Sequence, residues 1–207
     1  MAIYEHHVIG FGPGRLADVG TALRDKGSTA VAAHGGFLFG IWKPLIGLSF
    51  NHAVVVTEWP DEEAARRNAH SAISGIPDVA IEQHELWLAT LRPKPGTIAR
   101  GDPGFVTHRW YDIREGDIDR FLELSSATWS NWEGVHDGEV LGLWRSLTPP
   151  AVGLIRMRLM AWYRDMSVWE RSRHWKGAKG AETANLNLAA RYDLTLDSAV
   201  SILQPLG

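Results

Sequence analysis

With 207 residues, 45% of them hydrophobic, the chain has room for one ordinary domain or two small ones and carries enough apolar surface for a real core. A formal net charge of -3 with 22% charged residues sets up no sustained basic field, which argues against nucleic acid or an anionic membrane as partner and favours small molecules or other proteins. The absence of cysteine excludes disulfides, thiolate nucleophiles and thiolate-ligated metals.

The opening MAIYEHH has no basic segment followed by an apolar core, and no apolar run reaches membrane-spanning length, so a soluble cytoplasmic protein is expected. Ile3 to Phe11 predicts a strand that stops at the turn signal GPG. RLADVGTALRDKG follows with helical spacing of Leu16, Val19 and Leu23, ending at Gly27. FLFGIW and NHAVVVTEW predict strands joined by the loop KPLIGLSF. Asp61 is placed to cap a helix over EEAARRNAHSAISG, and IEQHELWLATL predicts a fourth strand.

Arg92 to Gly104, rich in Pro and Gly, reads as a linker, and the order then restarts. FVTHRWYDI predicts a strand, DIDRFLELSSATWSNW a helix, and EVLGLWRSL and GLIRMRLMAWY two strands. A helical region from Ser167 to about Tyr192, broken by GAKG, precedes a last strand AVSILQPL. The expected organisation is a first half over 1–93, a linker over 94–104 and a second half over 105–207.

A duplication is testable by offset. His6 and His108, Gly14 and Gly116, Gly40 and Gly142, and Trp42 and Trp144 are each 102 residues apart, and Asp61/Asp165, Arg67/Arg171 and His70/His174 are each 104 apart. Two copies of a β-α-β-β-α-β unit are therefore expected. Each makes a ferredoxin-like sheet with helices on one face and a bare other face. Packing the bare faces together gives the predicted fold class, α+β, with two ferredoxin-like halves meeting sheet to sheet as one barrel with a cavity between them.

YEHHVIGFGPG and GIWKPLIGLSFNHAVVVTEWPDEEAARR resemble the first and second motifs of the NIPSNAP family. THRWYDIREG, GLWR, AWYRDMSVWERSR and ILQPL resemble the same pattern more weakly. The resemblance implies the dimeric α+β barrel superfamily and possible self-association, but no one reaction. Wider relatives include cyclases, isomerases, cofactor-free monooxygenases and haem enzymes. His6, His52 and His70 are also similar in placement to the histidines of small stress-responsive barrel proteins, a group that includes a polyketide cyclase; the tyrosine that assists in that cyclase has no counterpart in EEAARRNAHSAISG.

Histidines converging on a cavity would suit enolisation, cyclisation or deprotonation of a phenol. Adjacent strand residues diverge, so His6 and His7 face opposite sides, with His6 and its equivalent His108 sharing the barrel face and His7 turned to the helices. His6, His52 and His108 are the candidate acid-base residues, although either parity of the His52 strand could face inward. Trp110, which shares the parity of His108, is a candidate substrate contact together with His84, His70, Trp42 and Trp144. His84 could equally be surface, His70 an ordinary helical residue, and the two tryptophans core. No H-x-H, H-E-x-x-H or His-carboxylate triad stands at ligand spacing, so no metal is expected, nor any cofactor. Haem is the runner-up, with His174 among Arg173, Trp175 and Lys176, against a solvated basic helix end. The expected function is a cofactor-free lyase, cyclase, isomerase or monooxygenase acting on a small aromatic or polyketide-like metabolite. The alternatives are a haem- or ligand-binding protein without turnover, or a structural adaptor.

Overall fold

In the computed structural model, which describes residues 1–173 and 180–206, the β-branched and aromatic runs form β1 (Ile3–Phe11), β2 (Phe37–Ile46), β3 (His52–Trp59), β4 (Val79–Arg92), β5 (Phe105–Arg114), β6 (Gly138–Ser146), β7 (Leu154–Tyr163) and β8 (Thr195–Pro205). They close into an antiparallel barrel in the order β1-β3-β2-β8-β5-β7-β6-β4. Within each half the strands run fourth, first, third, second, which is the ferredoxin-like order, and the expected α+β barrel of two packed halves is found. The two seams are short. One pairs Trp42–Ile46 of β2 with β8 from Pro205 back to Ile202, and the other pairs β4 from Trp87 to Arg92 with β6. Residues 79–86 of β4 and 195–201 of β8 extend past the seams, so the halves part at that end of the barrel.

The helices lie outside. In the first half α1 (Leu16–Ala22) continues through a π-helical turn (Leu23–Gly27) into α2 (Ser28–Ala32), and α3 (Glu62–Arg67) follows β3. In the second half they are α4 (Ile118–Val135), α5 (Met166–Arg173) and α6 (Ala181–Asp193). Apolar side chains therefore sort into three clusters, one under each helical layer and one inside the barrel. The inner cluster joins Tyr4, Phe39, Trp42, Trp87, Trp144, Met160 and Trp162, and fills the end where the seams hold. Trp42 and Trp144 each fold over the glycine two residues earlier. A methyl group on Gly40 or Gly142 would lie 2.4 Å or 2.1 Å from the ring.

Three expected elements differ. The first helix, expected to end at Gly27, runs on through it to Ala32. KPLIGLSF begins as strand rather than loop, because Lys43, Pro44 and Ile46 pair with β8. The helix expected over 62–75 stops at Arg67: the Asp61 carboxylate caps it through Ala64 N (2.8 Å), but His70 takes a left-handed φ of 68° and its N–H donates to Glu5 Oε1 (3.0 Å). A tertiary hydrogen bond thus overrides helix propensity. The first helical segment closes against this turn because Gly27 has no Cβ, which would otherwise lie 2.5 Å from the Ala72 carbonyl oxygen. Among the described residues no helix is long and apolar enough to cross a membrane.

Candidate functional site

Strand parity sets two chemistries back to back on β1 and β4. Tyr4, Val8, Val54, Val56 and Trp87 belong to the inner cluster, and His6 lies in register with Val56 and Glu85 between them, so His6 and Glu85 face inward. Glu5, His7 and His84 face the helices.

At the parted end of the barrel lies an open cleft of about 490 Å³, floored by His108, Trp110, Arg156 and Arg158 and bounded by Glu85 on β4 and Ser201 on β8. Arg158 is its electrostatic centre. Its Nη2 donates to Glu85 Oε2 (2.7 Å), its Nη1 donates to His108 Nε2 (3.3 Å), and its guanidinium lies 4.2 Å from the Trp87 ring centre. Because arginine only donates, His108 Nε2 is the unprotonated nitrogen of that ring. Burial, then the charge of Arg158, holds His108 well below the ordinary imidazole range, and burial brings the Arg158 guanidinium down to about 10 against the opposing pull of Glu85. Near neutral pH the cleft therefore presents a neutral imidazole beside a cation. Arg156 is clamped by both oxygens of Asp112 (2.6 and 2.7 Å) and stacks on Trp110 at 4.2 Å, which makes a flat wall of guanidinium and indole whose charge Asp112 balances.

The other expected acid-base histidines lie elsewhere. His6 stacks on His108, with centres 6.0 Å apart and 15° between planes, but it is 2% exposed and neither ring nitrogen has a hydrogen-bond partner. Burial first, then Arg158, His108 and His7, keeps it neutral. His52 has the inward parity but sits at the rim opposite Gly10, in a separate depression with Asn51 and Asp78. Of the expected substrate contacts, Trp110 and His84 border the cleft. Trp42 and Trp144, 1% and 0% exposed, pack in the closed half of the barrel, and their indole nitrogens have no hydrogen-bond partner.

His70 joins a second group, outside the barrel. Glu5 Oε1 lies 2.9 Å from His84 Nε2, 3.4 Å from His7 Nε2 and 3.9 Å from His70 Nδ1, and His7 Nε2 meets His70 Nδ1 at 2.8 Å. One donor atom from each of these four residues lies within 4.8 Å of all the others, so the set could hold a metal ion. Glu5 Oε2 accepts from Trp59 Nε1 (3.0 Å) and Thr57 Oγ1 (3.2 Å). Burial opposes ionisation of Glu5, but His84, His7 and the His70 N–H together lower its pKa. Burial, partly offset by Glu5 and reinforced by His84 and His70, lowers His7 to about 4. The legible part of this cluster was Glu5-x-His7, whose spacing puts both side chains on one strand face. His84 required the β1–β4 register, and His70 the early end of α3.

A second cavity, of about 340 Å³, lies between the outer face of the second half and its helices, with Trp129, Trp132, Tyr163, Trp169 and Arg191 in its wall. His174, the expected haem contact, lies outside the described residues.

No family model matches the sequence, and no curated protein does. Solved structures do match over the whole chain. A candidate monooxygenase from Fusobacterium nucleatum superposes with a TM-score of 0.65 at 14% identity, covering 100% of this chain and 93% of its own. An anthrone oxidase-like protein gives 0.59 at 9% identity, covering 100% and 92%. A ferredoxin-fold protein related to antibiotic biosynthesis monooxygenases, from Listeria monocytogenes, gives 0.51 at 9% identity, covering 100% and 96%. The chain shares their ferredoxin-like α+β barrel fold. At these identities the likeness carries the fold and no residue roles.

Proposed function

We propose that the protein is a cytoplasmic enzyme that removes a proton from a small, aromatic or polyketide-like metabolite in the open cleft, with no cofactor needed for that step. The observation that supports it most is the neutral His108 facing the buried Arg158 at the floor of a solvent-open cleft. A substrate carbonyl or phenol oxygen takes up the Arg158 hydrogen bond and frees His108 Nε2. The proton passes to that nitrogen, and the electron pair left behind settles on the oxygen beside the guanidinium. Trp110 and Arg156 hold the ring of the substrate, and Glu85 keeps Arg158 in place. The resulting enolate or phenolate is a common first intermediate of cyclisation, isomerisation, carbon–carbon cleavage and cofactor-free oxygenation. The names of the structural neighbours, monooxygenases and an anthrone oxidase-like protein, agree with this group of reactions. We also read the paired landmarks at offsets of 102 and 104 as traces of duplication within a NIPSNAP-like ancestor; that likeness adds no residue to the cleft. Self-association is not needed to close the barrel, whose eight strands come from one chain.

Proton NMR in D₂O over a panel of aromatic β-keto acids and hydroxynaphthoic acids tests the proposal. Protein-dependent loss of the acidic C–H signal is expected, falling about tenfold or more in His108→Ala and unchanged in His52→Ala. Ligand-induced shifts without exchange anywhere in the panel would favour binding without turnover.

A further inference from the structure

We propose that Glu5, His7, His70 and His84 form a binding site for one divalent ion of the late first-row transition series, of which Zn²⁺ is the simplest case. The site lies on the helix-facing side of β1 and β4, behind the cleft that His84 also borders, and does not depend on the function proposed for the cleft.

The donor set decides the class of ion. Three imidazoles and one carboxylate suit Zn²⁺, Co²⁺ or Ni²⁺, whereas Mg²⁺ and Ca²⁺ prefer oxygen-rich shells. The geometry agrees. Bonds of about 2.0 to 2.2 Å to a tetrahedral ion place neighbouring donor atoms roughly 3.4 Å apart. Four of the six separations, 2.8, 2.9, 3.4 and 3.9 Å, lie on both sides of that value, and the pairs of His84 with His7 and His70 lie within 4.8 Å, so modest side-chain shifts would bring all four atoms onto one ion.

The surroundings support the arrangement. Trp59 and Thr57 hold Glu5 Oε2 and thereby aim Oε1 at the histidines, as outer hydrogen bonds orient ligating carboxylates. His7 is fully buried, while the side chains of His70 and His84 are 40% and 29% exposed, so an ion can enter from solvent and reach a rigid floor. His84 also borders a cavity of about 350 Å³ with Arg66, Glu85 and Thr148, which gives a further ligand access to that side. The left-handed backbone of His70 is uncommon for a residue with a Cβ, and such conformations concentrate where the surroundings dictate a side-chain position. One detail departs from the usual pattern of ligating histidines: His7 Nδ1 is buried without a hydrogen-bond partner. Without an ion His84 hydrogen-bonds Glu5 and His7 hydrogen-bonds His70; binding would place the ion where those ring protons lie, with each neutral imidazole carrying its proton on its other nitrogen.

The test uses the full chain, stripped with a chelator and titrated with Co²⁺ under visible spectroscopy and with Zn²⁺ in a calorimeter. One equivalent of Co²⁺ should give ligand-field bands that Zn²⁺ abolishes and excess Mg²⁺ does not. His70→Ala and His84→Ala, both at partly exposed positions, should each weaken binding about tenfold or more, while His52→Ala leaves it unchanged. Circular dichroism checks that the variants are folded. Failure of the stripped protein to bind stoichiometrically would overturn the site, and so would unchanged binding in the folded variant that combines His70→Ala with His84→Ala.

Discussion

Arg158 and its neighbours are where single side chains carry most consequence. Arg158→Met would leave Glu85, whose side chain is 33% exposed, without its partner. Breaking a fully buried pair costs about 3 to 5 kcal/mol, so about 2 kcal/mol is expected here after allowing for solvent at Glu85. Arg158→Met/Glu85→Gln should recover part of that loss in urea unfolding. The charge of Arg158 is the second cause of the low His108 pKa, after burial, so the variant should also raise the imidazole midpoint seen by NMR while leaving it below the ordinary range. An unchanged midpoint would mean that the two side chains do not interact.

The buried histidines also set a pH dependence. In the unfolded chain each binds a proton below about 6.5, whereas His7 in the folded protein does so only below about 4, and His6 and His108 also lie well below 6.5. Their folded pKa values are lowered, so the stability they contribute is fully present above 6.5 and is lost as pH falls from 6.5 toward the folded values. Each removes about 1.4 kcal/mol per pH unit inside that window. Urea midpoints of the metal-free protein should therefore fall steeply between pH 6.5 and 5 and be flat above 7; a flat profile throughout would contradict neutral burial of these rings. At this scale the alternation of His6 and His7 was legible, because strand period alone separates adjacent side chains. The absence of His6 from the cleft wall was not, because depth within a barrel depends on which end its seams close.

Among the elements, β2 and β6 share a device that was visible as Gly-x-Trp at a fixed offset. The structure supplies its reason: each indole lies on the strand where a Cβ would stand. Gly142→Ala should displace Trp144 from the inner cluster and cost about 1 to 3 kcal/mol in denaturant unfolding, as overpacking does. A neutral effect would mean that the ring has room to move. The short α3 was the largest local misreading. EEAARRNAHSAISG has helical composition to its end, and only the Glu5 carboxylate, 65 residues earlier in the chain, accounts for the turn at His70. Contacts this distant leave no periodic trace, and the four-residue Glu–His cluster was hidden by the same contact.

For the molecule as a whole, the element order, the two halves and the closed barrel could be read from hydrophobic period and the recurring landmarks. The uneven filling of the barrel could not. Tryptophans close one end, and the seams leave β4 and β8 parted at the other, so the barrel opens as a cleft at its mouth and not as a central cavity. A crystal structure with 1-hydroxy-2-naphthoate bound tests that most directly. The account predicts the naphthoate against Trp110 with an oxygen on Arg158 and His108; a ligand seated instead in the cavity beneath α4 and α6, with the cleft empty, would contradict it.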